Sequence, residues 1–340
     1  THICSLPEWT HPFIHGFSPP QECLPQVLVL GPPPVFIVFQ AEFCRKFRFL
    51  KPWEASLPTP EFLTSHASSV RAALISGLSH VSPDILCRLP ALRLIVTTSA
   101  GLDHIDLPEC CCRGISVASA GSIFSAEVAD LAVGLLMDVL RKVSYADRYV
   151  RDGLWKINGE FPLGSKIGGK RVGVVGLGRI GLEVAKRLEP FGCRILYNSW
   201  RRKPSVHYNY YPDVRGLAAN SDVLIICCAL TNETRHMVDK EVLLALGKEG
   251  VIINIARGAI IDEKEMVECL VRGDIAGAGL DVFENEPNVP EELRALDNVV
   301  LSPHRAVFTG EAFGDLYELM AGNLEAFFSN RPLLSPVINE

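Results

Sequence analysis

One segment limits the folds open to this chain more than any other. Residues 170–175 (Lys-Arg-Val-Gly-Val-Val) form an apolar run with strand character. Gly176-Leu177-Gly178-Arg179-Ile180-Gly181 follows at once and leads into a helical pattern through Arg187. A Gly-x-Gly-x-x-Gly triplet alone says little, but between a strand and a helix it is specific. Gly176 permits a tight turn, Gly178 lets a ligand approach the backbone, and Gly181 lets the helix pack closely on the strand. The helix start then presents unpaired N–H groups and a positive dipole end, which together suit a pyrophosphate. The motif predicts a strand–turn–helix unit in a parallel sheet, with a dinucleotide lying across the sheet's carboxyl edge.

The rest of the chain repeats that alternation. Its 340 residues suffice for two domains. Residues 26–30, 72–76, 92–97 and 114–118 are short apolar runs that predict buried strands of a first parallel sheet. Residues 171–175, 194–197, 222–227, 250–254, 277–282 and 299–301 predict a second series. Helical patterns separate the first five of these, so an α/β protein with doubly wound sheets is expected. Between the two series, residues 125–143 have helical spacing, with Val128, Leu131, Leu135 and Val139 on one face and Ser125 as the cap. Residues 152–169, rich in glycine and aromatic side chains, predict a hinge, and residues 311–328 a last helix that returns to the first sheet. Residues 1–23 are rich in proline and histidine without periodicity and predict a poorly ordered lead-in.

Composition narrows the function. The net charge is −6 with no basic stripe, which offers nucleic acid no electrostatic footprint. No run reaches the roughly 18 apolar residues of a membrane span. The most apolar early stretch is broken by Pro32, Pro33 and Pro34. Eleven cysteines are present, several in strand-like runs such as Cys227 and Cys228. Consecutive Cys110, Cys111 and Cys112 lack the spacing of a zinc ligand set, so reduced structural cysteines and no metal are expected. The sequence starts at Thr1 rather than Met, which leaves room for a targeting segment ahead of it, and its last four residues do not read as a peroxisomal address.

The strand expected at 194–197 runs into Asn198-Ser199-Trp200-Arg201-Arg202-Lys203. A site for an unphosphorylated dinucleotide places a carboxylate at that strand end to hold the ribose. Here there is none, and three cations follow that suit a 2′-phosphate. Three further segments lie at expected strand ends, where open α/β sheets bind ligands. They are Asn254-Ile255-Ala256-Arg257, Gly279-Leu-Asp281-Val-Phe-Glu284-Asn-Glu286 and Leu301-Ser-Pro-His304.

Together with Thr98-Ser99-Ala100-Gly101-Leu-Asp103-His104-Ile-Asp106, the helical segment 128–136 and Leu230-Thr-Asn-Glu-Thr234-Arg-His236, these segments resemble the D-isomer-specific 2-hydroxyacid dehydrogenase family. The resemblance runs from about residue 26 to residue 336 and is strongest toward the plant glyoxylate/hydroxypyruvate reductases, in the branch related to hydroxyphenylpyruvate reductases. It implies a Rossmann cofactor domain, residues 123–306, inserted in a flavodoxin-like substrate domain made of residues 24–122 and 307–340. It implies reduction of glyoxylate to glycolate and of hydroxypyruvate to D-glycerate, with NADPH as cofactor and NADH weaker.

Arg257, Glu286 and His304 match the family's active-site trio in order and spacing. Keto acid reduction needs a hydride, a proton and charge stabilisation on the carbonyl oxygen. His304 would give the proton, Glu286 would favour the imidazolium and hold its tautomer, and Arg257 would grip the substrate carboxylate bidentately. Ser99, Ala100 and Gly101 would offer backbone N–H groups to that carboxylate. Ala229, Leu230, Thr234, Ile255 and Ala256 would line the cofactor, beside the Gly176–Gly181 turn and Asn198, Ser199, Trp200, Arg201 and Arg202. Asp281 would approach the nicotinamide amide or brace its strand end. Asp103 and Asp106 would brace their loop, and His104 and His236 would be packing or surface histidines.

Two departures stand out: Trp200 moves the cation after Ser199 by one place, and Arg305 is bulkier than the small or apolar residue expected there. A wider pocket would instead admit aromatic keto acids such as hydroxyphenylpyruvate. The same fold also serves dinucleotide-sensing transcriptional corepressors, some of which retain the trio. A cytoplasmic homodimer is expected, the dimer because Leu135, Leu136, Met137 and Leu140 make helix 125–143 apolar on more than one face.

Overall fold

A strand that is apolar at every position cannot leave one face in water, so it must be covered on both sides. That rule shapes the computed structural model, which describes residues 24–337; the lead-in expected at 1–23 lies outside them. The first sheet contains β1 (Gln26–Leu30), β2 (Arg48–Leu50), β3 (Ala72–Ile75), β4 (Leu94–Thr97) and β5 (Ser116–Ala118). Its order is β2-β1-β3-β4-β5, all parallel, the order of a flavodoxin-like sheet. The second contains β6 (Arg171–Val175), β7 (Arg194–Asn198), β8 (Asn209–Tyr210), β9 (Val223–Ile226), β10 (Val251–Asn254), β11 (Gly277–Leu280) and β12 (Val299–Leu301). It is also wholly parallel and runs β12-β11-β10-β9-β6-β7-β8. The direction of winding reverses between β6 and β9, and that switch opens a crevice at the carboxyl ends. β3, β4, β9, β10 and β11 are buried at all four positions. The edge strands β2 and β8, of three and two residues, are too short to read from periodicity.

The helix Ser125–Arg141 carries the chain from one sheet to the other and lies over the second. Gly277 and Gly279 of β11 make room for it, because a Cβ at either would stand 3.0 Å from Val139 or Leu135. Three expectations for this region need correction. Phe124, not Ser125, is the N-cap, and Ser125 is already helical. The helix stops at Arg141 rather than running through Val143, because Lys142 turns left-handed at φ 56°. The cause is a local side-chain bond: Asp138 accepts the Ser144 N–H at 2.7 Å and also its hydroxyl, which starts a new helix, Val143–Arg151. Finally, Leu135, Leu136 and Leu140 are buried within this chain, so they do not form a second apolar face. Exposed apolar side chains come instead from Val143, Val150, Trp155, Ile157 and Leu163.

The segment expected to be a hinge is tied down. It holds a short helix, Leu154–Asn158, and Phe161 packs on the rings of Tyr145 and Tyr149 at 5.1 and 5.3 Å. Tyr149 donates its hydroxyl to the Glu160 carbonyl, and the Ser165 N–H returns to the Leu140 carbonyl.

The helix Gly310–Phe328 returns to the first sheet as expected. Tyr317 stacks on Phe39 at 4.9 Å, Lys46 pairs with Glu325, and the Val337 N–H bonds the Val117 carbonyl at the sheet edge. The second sheet is therefore contained between two parts of the chain that share the first. Leu136, with no exposed surface, sits in the core on the connecting helix. Leu136→Ala is expected to cost about 2–5 kcal/mol, read as a lower urea midpoint with an unchanged slope.

Candidate active site

The functional side chains stand on loops at the carboxyl ends of both sheets. At the glycine turn, Gly176 has φ 95°, and a Cβ there would stand 2.6 Å from the Cys228 backbone. A Cβ at Gly178 would meet nothing within 4 Å, so the space over the start of the helix Arg179–Leu188 is open to a ligand. The first amides of that helix have no intrahelical acceptor and face such a ligand. The site thus fits a pyrophosphate. Leu177 is fully buried and reaches the ligand through its backbone only.

At the end of β7, the Gly176 N–H bonds the Asn198 carbonyl at 2.9 Å, which joins the two halves of the cofactor edge. The Asn198 carboxamide donates to the Tyr211 carbonyl at 3.0 Å, and Ser199 donates its hydroxyl to the Arg201 carbonyl at 2.6 Å. Lys203 N–H bonds the Tyr197 hydroxyl at 2.8 Å. This fixed turn projects Trp200, 84 % exposed, and leaves Arg201 and Arg202 exposed, with no ion pair among the described residues. Thr234 closes the loop after β9 by donating to the Ala229 carbonyl at 2.7 Å, with Leu230 beside it; Ile255 and Ala256 follow β10.

The arginine comes next along the same edge. Arg257 reaches across from the second sheet to the loop after β4. Its Nε donates to Asp103 at 3.1 Å, and its Nη1 donates to its neighbour's carbonyl, that of Ala256, at 2.8 Å. A Cβ on Gly101 would fall 2.0 Å from Nη2, so a side chain there would push the guanidinium out of its present place. Ser99 anchors this loop by donating to the Gly101 carbonyl at 2.7 Å, while the amides of Ala100 and Gly101 have no acceptor among the described residues. A bracing part was expected of Asp103; its pairing with Arg257 is not signalled in the sequence near either residue. Burial pushes the Asp103 carboxyl up, but Arg257 outweighs it and holds it below the usual range. Asp106 does brace its loop, accepting the Glu109 N–H at the start of the next helix. His104 is buried; burial drives it down to about 4, so it is neutral, with Nε2 3.0 Å from the Thr97 hydroxyl.

His304 and Glu286 meet across the β11 and β12 loops. His304 Nδ1 lies 2.8 Å from Glu286 Oε2, and Glu286 Oε1 accepts the Phe283 N–H at 3.1 Å. The second ring nitrogen, Nε2, is left for a substrate. Gly258 lets the Arg257 loop cross this segment, since a Cβ there would overlap the Phe283 carbonyl carbon at 1.9 Å. Burial pushes the Glu286 carboxyl up, yet the His304 hydrogen bond and charge, the Phe283 amide and Arg257 together hold it below the usual range.

His304 has φ 55°, a left-handed conformation that costs a residue with a Cβ about 1–2 kcal/mol. Asp281 holds it there. The carboxylate is 1 % exposed and accepts the Ser302 hydroxyl at 2.5 Å and the amides of Arg305 and Ala306 at 2.8 and 3.1 Å, and its carbonyl accepts the His304 N–H at 2.8 Å. The strand-end role for Asp281 is thus visible in the geometry. Arg305 turns outward and lies 4.0 Å over the Phe308 ring. His236 pairs with Glu284 at 2.8 Å behind the site, a contact that the sequence reading did not find.

No group of three metal-ligating side chains occurs among the described residues, and none of their helices is long and apolar enough to cross a membrane. The family model for D-isomer specific 2-hydroxyacid dehydrogenase, NAD binding domain, matches residues 133–306. A glyoxylate/hydroxypyruvate reductase of Arabidopsis thaliana is 56 % identical over 92 % of this chain and 97 % of its own. A hydroxyphenylpyruvate reductase of Plectranthus scutellarioides is 45 % identical over 90 % of this chain and 97 % of its own. Among solved structures, an NADPH-dependent glyoxylate/hydroxypyruvate reductase of Sinorhizobium meliloti, in complex with NADP and malonate, has a TM-score of 0.84 at 36 % identity, covering 92 % of this chain and 96 % of that one.

The depressed Glu286 carboxyl predicts a pH effect on stability. A folded value below the unfolded one makes the His304 pair stabilising above the unfolded value, and that contribution is lost as pH falls through the folded value. Between about pH 5 and pH 3 the calorimetric midpoint should therefore fall more in the parent than in Glu286→Gln. Parallel curves would remove Glu286 from the pH response.

Proposed function

We propose that this chain, which belongs to the D-isomer specific 2-hydroxyacid dehydrogenases, reduces small 2-keto acids, glyoxylate and hydroxypyruvate, with NADPH. The observation that carries the choice of substrate is the 56 % identity, over nearly the whole of both chains, to the Arabidopsis glyoxylate/hydroxypyruvate reductase. When bound, the dinucleotide supplies the hydride.

The chain's own groups do the rest. Arg257 binds the substrate carboxylate, helped by the free amides of Ala100 and Gly101. His304 gives its Nε2 proton to the carbonyl oxygen, and Glu286 orients the ring through Nδ1. The glycine turn with the first amides of its helix holds the pyrophosphate, and Arg201 and Arg202 take the 2′-phosphate. The partition into residues 24–122 with 307–340 and residues 123–306 belongs to the same reading. It is supported by the two sheets and by the return of the helix Gly310–Phe328 to the first. The exposed apolar side chains between Val143 and Leu163 support a homodimer. Nine free cysteines among the described residues support a reducing compartment, the cytoplasm.

NADPH consumption with a panel of keto acids tests the substrate. Glyoxylate and hydroxypyruvate should give the highest kcat/KM, and a preference for hydroxyphenylpyruvate would overturn this choice. His304→Gln should lower kcat by about 100-fold or more, with little change in NADPH affinity. One charge-assisted phosphate contact is worth about 1.5–3 kcal/mol, reduced by exposure and salt. Arg201→Ala with Arg202→Ala should therefore lower kcat/KM for NADPH roughly tenfold and leave NADH nearly unchanged. Equal losses with both cofactors would place these arginines outside phosphate recognition. Sedimentation showing only monomer at micromolar concentration would contradict the dimer.

A further inference from the structure

Arginine carries five N–H donors in a planar fork, and the surroundings of Arg257 decide which of them a substrate can reach. The Nε hydrogen goes to Asp103, whose two oxygens lie 3.1 and 3.3 Å away. Nη2 lies 3.1 Å from the same carboxylate, an ion pair without a hydrogen bond of its own. One hydrogen of Nη1 goes to the Ala256 carbonyl at 2.8 Å. Three donors remain, one on Nη1 and two on Nη2, so each terminal nitrogen still has one to offer at the end of the fork. Asp103 stands on the loop after β4 and Arg257 on the loop after β10, so the pair joins the two sheets across the crevice.

We propose that Asp103 is a positioning residue for substrate binding. It occupies the Nε–Nη2 edge of Arg257, so that the Nη1–Nη2 end is the one bidentate face left for the substrate carboxylate, and it holds that end beside the Ala100–Gly101 amides. This rests on the reading of Arg257 as the carboxylate clamp. The fit is tight on the glycine side, where a Cβ at Gly101 would stand 2.0 Å from Nη2 and 2.9 Å from Cζ. A guanidinium confined between Asp103, the Ala256 carbonyl and Gly101 has lost its freedom to swing before a substrate arrives, which is the entropy a flexible arginine would otherwise lose on binding. The carboxyl of Asp103 stays ionised at working pH, because Arg257 holds it low against the opposing effect of burial.

The proposal fixes the sign of an effect that electrostatics alone would reverse. Asp103 is an anion close to where an anionic substrate binds, so a role limited to its charge predicts tighter substrate binding when it is neutralised. Positioning predicts weaker binding.

The test is steady-state kinetics of Asp103→Asn and Asp103→Ala with glyoxylate at saturating NADPH. For Asp103→Ala, KM for glyoxylate should rise roughly tenfold while kcat stays within about threefold, because misplacement of a clamp acts first on binding. KM for NADPH should be unchanged. Asp103→Asn keeps an acceptor without the charge and should fall between parent and alanine variant; it carries the test if the alanine variant does not fold. In an Arg257→Lys background, Asp103→Ala should cost less than about twofold, because coupled residues are not additive. Calorimetric binding of oxalate to the NADPH-loaded enzyme should weaken in parallel. An unchanged or lower KM would reduce Asp103 to a background charge. Additive losses, or a loss confined to kcat and thermal midpoint, would reduce it to a structural brace. A parent enzyme that consumes no NADPH with any keto acid would instead sink the reductase reading, and oxalate binding would still report on the Asp103–Arg257 geometry.

Discussion

The site depends first on a single buried carboxylate. Asp281 ends β11, out of contact with water, and its oxygens accept from the Ser302 hydroxyl and from the amides of Arg305 and Ala306. An ion in the interior is tolerated only when its lone pairs are met, and here the loop after β12 meets them. The loop gains in return a set of bonds strong enough to hold His304 in a backbone conformation it would not choose by itself. Only in that conformation does the imidazole reach Glu286 with one nitrogen and keep the other free. The order of causes thus runs from the strand, through its terminal aspartate, to His304.

The same economy governs the remaining parts. Gly258 allows two loops of the second sheet to cross almost in backbone contact, and this puts Arg257 and Glu286 in one crevice although they leave different strands. Glycine turn, arginine and histidine all lie along the carboxyl edge, since a parallel sheet delivers every strand end to the same side. The carboxylates nearest the crevice, Asp103 and Glu286, are held below the usual range by their neighbours, Asp103 by Arg257, and Glu286 by the His304 hydrogen bond, the Phe283 amide and Arg257. The site is therefore electrostatically set before any ligand enters.

How much of this was legible in the sequence depended on range. Strands whose inner positions are apolar and buried stand out locally, so β1, β6 and β12 were read to the residue and β3, β4, β5, β7, β9, β10 and β11 to within two, while the short edge strands β2 and β8 were not read at all. The glycine turn and the trio were legible because each follows directly on such a strand. Contacts made across the fold left no local trace. Asp103 and Arg257 lie 154 positions apart, and nothing near either announces the other. The break at Lys142 is a local device instead: Asp138 accepts from Ser144 six positions on, within a stretch whose apolar spacing continues and so hides it. The leucines of the helix Ser125–Arg141 could be recognised as apolar but not as facing inward, because a helix wedged between sheet and neighbours is covered on more than one side.

The return of the chain to the first sheet bears on the order in which the molecule is made. Tyr317 on Phe39, Glu325 on Lys46, Arg71 over the Phe327 ring and Val337 at the edge of β5 each join a residue after 310 to one before 120. A ribosome delivers the early partner of each pair long before the late one. The second sheet, whose strands are contiguous from Arg171 to Leu301, can gather while synthesis continues. The first sheet must wait with one face uncovered until the helix Gly310–Phe328 emerges. Over that interval Phe39 and Phe43 lack the Tyr317 ring that covers them in the folded molecule.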